Sequence, residues 1–311
     1  MLWSNAGVTR QLGVWGMSEF LGEQENESVL GESGVVLKSV GLGSADSNSN
    51  LWPKLDKRQN KTKVSLRLTD RDYTILQFLY EQKFLSLTMI YYRFFDRRLS
   101  CTDSLPPNLW VTRQRIALLK RAGLIASQKI YTEPQALYLI SEAGYRVLQG
   151  KRTLSYYASP VSQIDFRYYE HDRRITLCRI ALERSEKCFH WYPDRLLRRE
   201  RQIQVGERLV KFPAGLVPDG VFLSSKQERV AFELELTPKK KDRYREKFKQ
   251  YLDLLKPTAA LQNEPALHRV FFVAGSARIG KDLQEIFGGN RHFVIRPYEN
   301  LVSSVLGERA L

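Results

Sequence analysis

Apolar positions follow three different patterns along the chain. Over residues 1–50 they keep no period. Gly, Ser, Asn and Glu dominate there, ending in Gly41-Leu42-Gly43-Ser44-Ala45-Asp46-Ser47-Asn48-Ser49-Asn50. Such a segment buries too little to offset the entropy of ordering it, so disorder is expected. Lys54, Lys57, Arg58, Lys61 and Lys63 follow, read as a solvated linker that has phosphate contact as its alternative. Residues 1–63 are therefore expected to be an acidic tail and a basic linker.

Helical spacing begins after Thr69-Asp70-Arg71-Asp72, whose hydroxyl and acid three residues apart predict a capping box. Tyr73, Leu76, Leu79 and Tyr80 continue on one face. A second helix is expected over Leu87 to Phe95. A third is expected from about Leu109 to Ala122, stopping at Gly123, a natural C′ residue. A strand at Leu124-Ile125-Ala126, a turn near Thr132-Glu133-Pro134 and a return strand over Ala136 to Ile140 lead to a helix opening at Ser141-Glu142. The run "LLKRAGLI…YLISEAGYRVL" resembles the end of a winged helix-turn-helix domain, which gives residues 64–155 a DNA-binding expectation. In that arrangement the third helix enters the major groove. The candidate contacts are Thr112, Arg113, Gln114, Arg115, Lys120 and Arg121, with the first three favoured because they lie near the helix start.

From about 160 to 311 helical and strand periods alternate, which predicts an α/β layered domain around a mixed sheet. A helix is expected over Glu170 to Arg184. Strands are expected at Arg201–Val205, Arg208–Phe212, Gly220–Leu223 and Arg229–Leu236. A charged amphipathic helix follows over Asp242 to Leu255, with Tyr244, Phe248, Tyr251, Leu252 and Leu255 inward. Strand Val270–Val273, a helix around 278–287 and strand His292–Ile295 complete the pattern. Carboxylates interrupt these apolar strands. Glu233 and Glu235 are two apart and so share a face, while "SSKQE" reads as a hairpin turn that brings Asp219 beside Glu233. Like charges that resist burial need compensation. Hard oxygen ligands from Asp219 and Glu233 make Mg²⁺ or Mn²⁺ one answer. A solvated sheet face paired with Lys and Arg is the other.

Composition sharpens the choice of partner. The formal charge is +15 over 311 residues, and an excess of this size points to a polyanion such as nucleic acid. The first 50 residues carry two positive and six negative side chains, so the basic excess lies entirely in the remainder. Three cysteines without CxxC spacing argue against a disulfide scaffold or zinc site. With no apolar run of about 18 residues and no signal-peptide pattern, no membrane insertion and a cytoplasmic location are expected.

Pro218-Asp219 followed by Glu233 resembles the PD-(D/E)xK nuclease core, although Glu235 stands where its lysine is expected. Lys239 or Lys247 is the candidate replacement. The ordered set "YYEHDRRITLCRIAL", "RRERQIQ", "VPDGVFL", "VAFELELTPKK", "KFKQYLDLL" and "RVFFVAG" is similar to the replication-relaxation proteins of plasmids and integrative elements, including MobC-type mobilisation relaxases. That resemblance implies a winged helix joined to a restriction-endonuclease-like domain, and strand nicking at an origin of transfer. It implies catalytic roles for Asp219, Glu233, Glu235 and Lys239, metal at Asp219 and Glu233, and accessory roles for His171, Glu200 and Lys247. Its partners would be double-stranded and locally single-stranded DNA, with other relaxosome or conjugation proteins. Four histidines without an HxH pair argue against the tyrosine-nucleophile relaxases, so Tyr91-Tyr92, Tyr156-Tyr157 and Tyr168-Tyr169 read as packing residues. Two rivals stand: a non-catalytic accessory factor or regulator with a degenerate nuclease fold, and a repressor whose C-terminal half only dimerises or binds a ligand.

Overall fold

Thr69 opens the first helix as its sequence predicts. Its hydroxyl caps Asp72, while the Asp72 carboxylate accepts from the Thr69 amide at 2.7 Å. The structure, a computed structural model, describes residues 66–96, 109–131, 133–152, 158–258 and 264–306. The expected tail and basic linker, Cys101, Thr132 and the Tyr156-Tyr157 pair lie outside the described residues.

The first half contains α1 (Asp70–Gln82), β1 (Leu85–Ser86), α2 (Leu87–Phe94), α3 (Trp110–Arg121), β2 (Ile125–Gln128), β3 (Leu137–Ile140) and α4 (Glu142–Lys151). The strands form an antiparallel sheet in the order β1-β3-β2. Gly123 takes φ +74°, the left-handed turn that ends α3. Ser141 then caps α4 and donates to the Gly123 carbonyl at 2.6 Å, tying strand return to helix end.

The second half runs α5 (Tyr169–Arg184), β4 (Cys188–Pro193), α6 (Asp194–Glu200), β5 (Gln202–Val205), β6 (Arg208–Lys211), β7 (Gly220–Ser224), β8 (Arg229–Glu235) and α7 (Lys241–Leu255). It continues with β9 (Pro257–Thr258), β10 (Glu264–Pro265), β11 (Arg269–Ala274), α8 (Ala277–Phe287), β12 (Phe293–Pro297) and α9 (Tyr298–Leu306). The fold is mixed α and β. Its main sheet has the order β12-β11-β8-β7-β4, with β4, β7 and β8 antiparallel and β8, β11 and β12 parallel. The expected strands at 201–205 and 208–212 form a separate hairpin sheet instead.

Strand pleating divides the side chains of this sheet. On one face Phe272 packs with Tyr251 of α7 and Phe287 of α8. On the other, Phe232 meets Phe271 and Trp191, and Arg179 of α5 lies over Trp191. Helices therefore cover both faces, as parallel strands require.

The two halves share one continuous core, joined by buried and half-buried polar links. Arg179 pairs with Glu81 at 2.8 Å and Glu183 at 2.7 Å, and its guanidinium sits 4.1 Å from the Phe78 ring centroid. Lys83 pairs with Asp172 at 2.7 Å, and Arg195 donates to the Tyr80 carbonyl at 2.5 Å. Among the described residues no helix is long and apolar enough to cross a membrane.

Candidate active site

All seven residues of β8 are buried, including Glu233 and Glu235. The alternative of a solvated face paired with Lys and Arg from the next helix is corrected in its solvation, since each carboxylate is only 2% exposed. Its lysine pairing is present through Lys247. Their cost is offset by groups that the fold carries to them. Asp219, one residue ahead of β7, donates its amide to the Phe232 carbonyl at 3.0 Å, which sets it beside Glu233 on the neighbouring strand. Its Oδ2 accepts from the Leu234 amide at 2.8 Å and lies 3.5 Å from His171 Nε2.

Helix α7 supplies the remaining partners. Lys247 Nζ lies 2.8 Å from Glu233 Oε2 and 3.3 Å from Glu235 Oε1. Tyr251, one turn further on the same face, donates its hydroxyl to Glu233 Oε1. Lys239 reaches Glu235 Oε2 at 2.6 Å. Of the two lysines expected near the acids, Lys247 engages both glutamates and Lys239 only Glu235.

Environment separates the carboxylates. Burial pushes Glu233 up to about 7, helped by the charges of Asp219 and Glu235 and opposed by Lys247. Burial also works against Asp219, but the hydrogen bond and charge of His171, the Leu234 amide and Lys247 hold it below the usual carboxylate range. Burial would lower His171, yet Asp219 raises it above its ordinary value. Lys247 is likewise raised despite burial, through Glu233 and Glu235. Burial thus pulls Glu233 up while its neighbours hold Asp219 down, within one buried cluster that Lys247 shares.

Glu200 stands apart from this network. It lies at the end of α6, about half exposed, with neighbouring Arg199 at 3.3 Å. Among the described residues, no three His, Cys, Asp or Glu side chains converge to hold a metal. Asp219 and Glu233 carry hard oxygens, the class that Mg²⁺ and Mn²⁺ prefer, but both Glu233 oxygens and Asp219 Oδ2 already have protein partners.

The α3 candidates separate as well. Arg113, Gln114, Lys120 and Arg121 are exposed. Thr112 is fully buried and faces the core, so the expectation that it contacts DNA is corrected: a residue with no exposed surface cannot reach a base. Arg115 turns inward, with Nε 2.7 Å from Asp72 Oδ1 and a terminal nitrogen 3.2 Å from the Arg67 carbonyl. Its guanidinium holds the α1 capping box rather than an outer ligand. Lys120 donates to Ser127 Oγ at 2.6 Å. Sequence reasoning passed over Trp110, which is exposed at helical spacing from Arg113, Gln114 and Arg121. It also placed Tyr251 inward without giving it the Glu233 contact, although the i, i+4 spacing with Lys247 carried that signal.

Comparison with family models, curated proteins and solved structures finds no match to this chain.

Proposed function

We propose that the chain is a DNA-binding protein of plasmid or integrative-element mobilisation, of replication-relaxation or MobC type, which nicks one strand at an origin of transfer. The helix and strand order of the first half, with its β1-β3-β2 sheet, supports a winged helix. Arg113, Gln114 and Arg121 on the outer face of α3 suit base edges and phosphates. In the second half, α5-β4-β7-β8-α7-β11 with acids on the β7–β8 hairpin supports a restriction-endonuclease-like core.

The observation that carries the proposal is Lys247. It brings an ammonium to Glu233 and Glu235 where the strand itself has a glutamate in place of lysine. In this reading Lys247 stabilises charge on the attacked phosphate, Glu235 assists the attacking water, Lys239 holds Glu235, and His171 orients Asp219. Asp219 and Glu233 would hold Mg²⁺ or Mn²⁺. Such an ion supplies a polarised water and neutralises phosphate charge.

A second reading, the non-catalytic accessory factor, has its own observation. Both Glu233 oxygens already have protein partners, Tyr251 and Lys247. Nicking of a supercoiled plasmid bearing the element's origin of transfer separates the two. With Mg²⁺ or Mn²⁺ the wild type converts it to open circles, EDTA stops this, and Asp219→Asn abolishes it while duplex binding stays. Tight binding with no nicking under either metal favours the accessory factor.

A further inference from the structure

Three exposed aromatic rings border a small core that joins the two halves. Ile130, Leu137 and Leu139 from the β2–β3 hairpin pack there with Phe84, Ile164 and Tyr169. Tyr131 follows Ile130 and is fully exposed, while Phe166 and Tyr168 precede Tyr169 and are 57% and 58% exposed. The hairpin and the entry to α5 are fixed against each other. The Ile164 amide donates to Gln128 Oε1 at 3.2 Å, and Arg173 pairs with Glu133 at 3.4 Å.

Packing explains none of these rings, since each keeps most of its surface in water. Basic groups lie among them: Lys129 is exposed two residues before Tyr131, and Arg167, between Phe166 and Tyr168, has its guanidinium 5.7 Å from the Tyr168 ring centroid. Arg167 also pairs with the exposed Asp165 at 2.8 Å, a solvated pair that a phosphate can displace. His171, one helical turn beyond Tyr168, has its Nε2 3.5 Å from Asp219. Tyr168 thus lies one turn from the histidine that touches the acidic cluster, and Tyr131 and Phe166 flank the same hairpin–helix junction. Exposed rings interleaved with basic charge suit unpaired bases, which stack on them whatever the sequence. Duplex DNA hides its base faces, so the matching ligand is single-stranded.

We propose that Tyr131, Phe166 and Tyr168 form a stacking platform for single-stranded DNA, which guides a melted strand toward Asp219 and Glu233. This rests on the reading above that the chain acts on DNA.

The test is fluorescence anisotropy of the full chain with labelled oligothymidylate of about 12 nucleotides, in the range such sites span, and with a duplex of equal length. The variants are the triple Tyr131→Ala/Phe166→Ala/Tyr168→Ala and the conservative Tyr131→Phe/Tyr168→Phe. The triple should weaken single-strand binding by tenfold or more, with duplex affinity and thermal midpoint unchanged, and the conservative pair should bind like wild type. Unchanged single-strand binding by the triple overturns the platform while leaving the proposed function standing. Equal loss on both DNA forms also overturns it. A wild type that binds neither form overturns the DNA reading itself, and the platform with it.

Discussion

The Tyr251 hydroxyl of α7 donates to Glu233 Oε1 on β8, so a helix side chain completes a carboxylate that the sheet alone would leave unpaired. Lys247, four residues earlier, holds the other oxygen. Tyr251→Phe removes one donor and leaves a buried acceptor unsatisfied, which costs about 1–3 kcal/mol. Urea unfolding should show that loss, and duplex DNA affinity should not move.

The α3 arginines make opposite predictions. Arg113→Ala with Arg121→Ala removes exposed charge, so DNA binding should weaken and depend less steeply on salt, with stability changed by less than about 0.5 kcal/mol. Arg115→Ala instead leaves the buried Asp72 carboxylate without its partner. It should destabilise by about 3 kcal/mol. Salt titrations of binding and thermal melts check both.

A pH dependence follows from the same pair. Burial pushes Asp72 up, but hydrogen bonds from Arg115 and Thr69 outweigh it and hold the carboxyl below its ordinary value. A depressed folded value contributes stability above the unfolded value of about 4, and that contribution is lost as pH falls through the folded one. Asp72→Asn should therefore be clearly less stable than wild type at neutral pH. The gap should narrow below about pH 4, as urea midpoints across that range would reveal.

Gly220 follows Asp219 at the start of β7. A Cβ there would lie 2.3 Å from Trp191 Cζ2 and 2.7 Å from Cε2, inside van der Waals contact with a buried ring. Gly220→Ala should cost about 1–3 kcal/mol through overpacking. Calorimetric melts check the stability loss, and plasmid nicking should fall with it as the neighbouring acid shifts.

Much of this arrangement was legible before folding. The Thr69–Asp72 capping box, the end of α3 at Gly123 and the inward face of α7 all rest on local patterns that tertiary contacts leave intact. β4 was missed because Cys188–Pro193 does not alternate: its register shifts between Cys188 and His190, and its burial follows no period of two. The short α6 after Pro193 and the terminal α9 were also missed. The residues Asp219, Glu233 and Glu235 could be named from spacing, but the choice between Lys239 and Lys247 could not. It depends on how α7 crosses back over β8, which no local pattern encodes. Thr112 failed for a different reason: it stands four residues before Ile116 and seven before Leu119, on the apolar stripe that helical spacing itself marks, and its place near the helix start was given more weight than that spacing.

The central claim is that Lys247 replaces the missing strand lysine. Single-turnover nicking of the origin plasmid in Mg²⁺, comparing Lys247→Met with Lys239→Met at saturating protein, tests it most directly. Lys247→Met also leaves Glu233 and Glu235 without their shared ammonium and should lower the thermal midpoint. Well below that midpoint it should lose about 10²–10³ in rate, the scale of removing one transition-state charge contact, while retaining wild-type duplex affinity. Lys239→Met should keep most of the rate. Wild-type nicking by Lys247→Met would contradict the account.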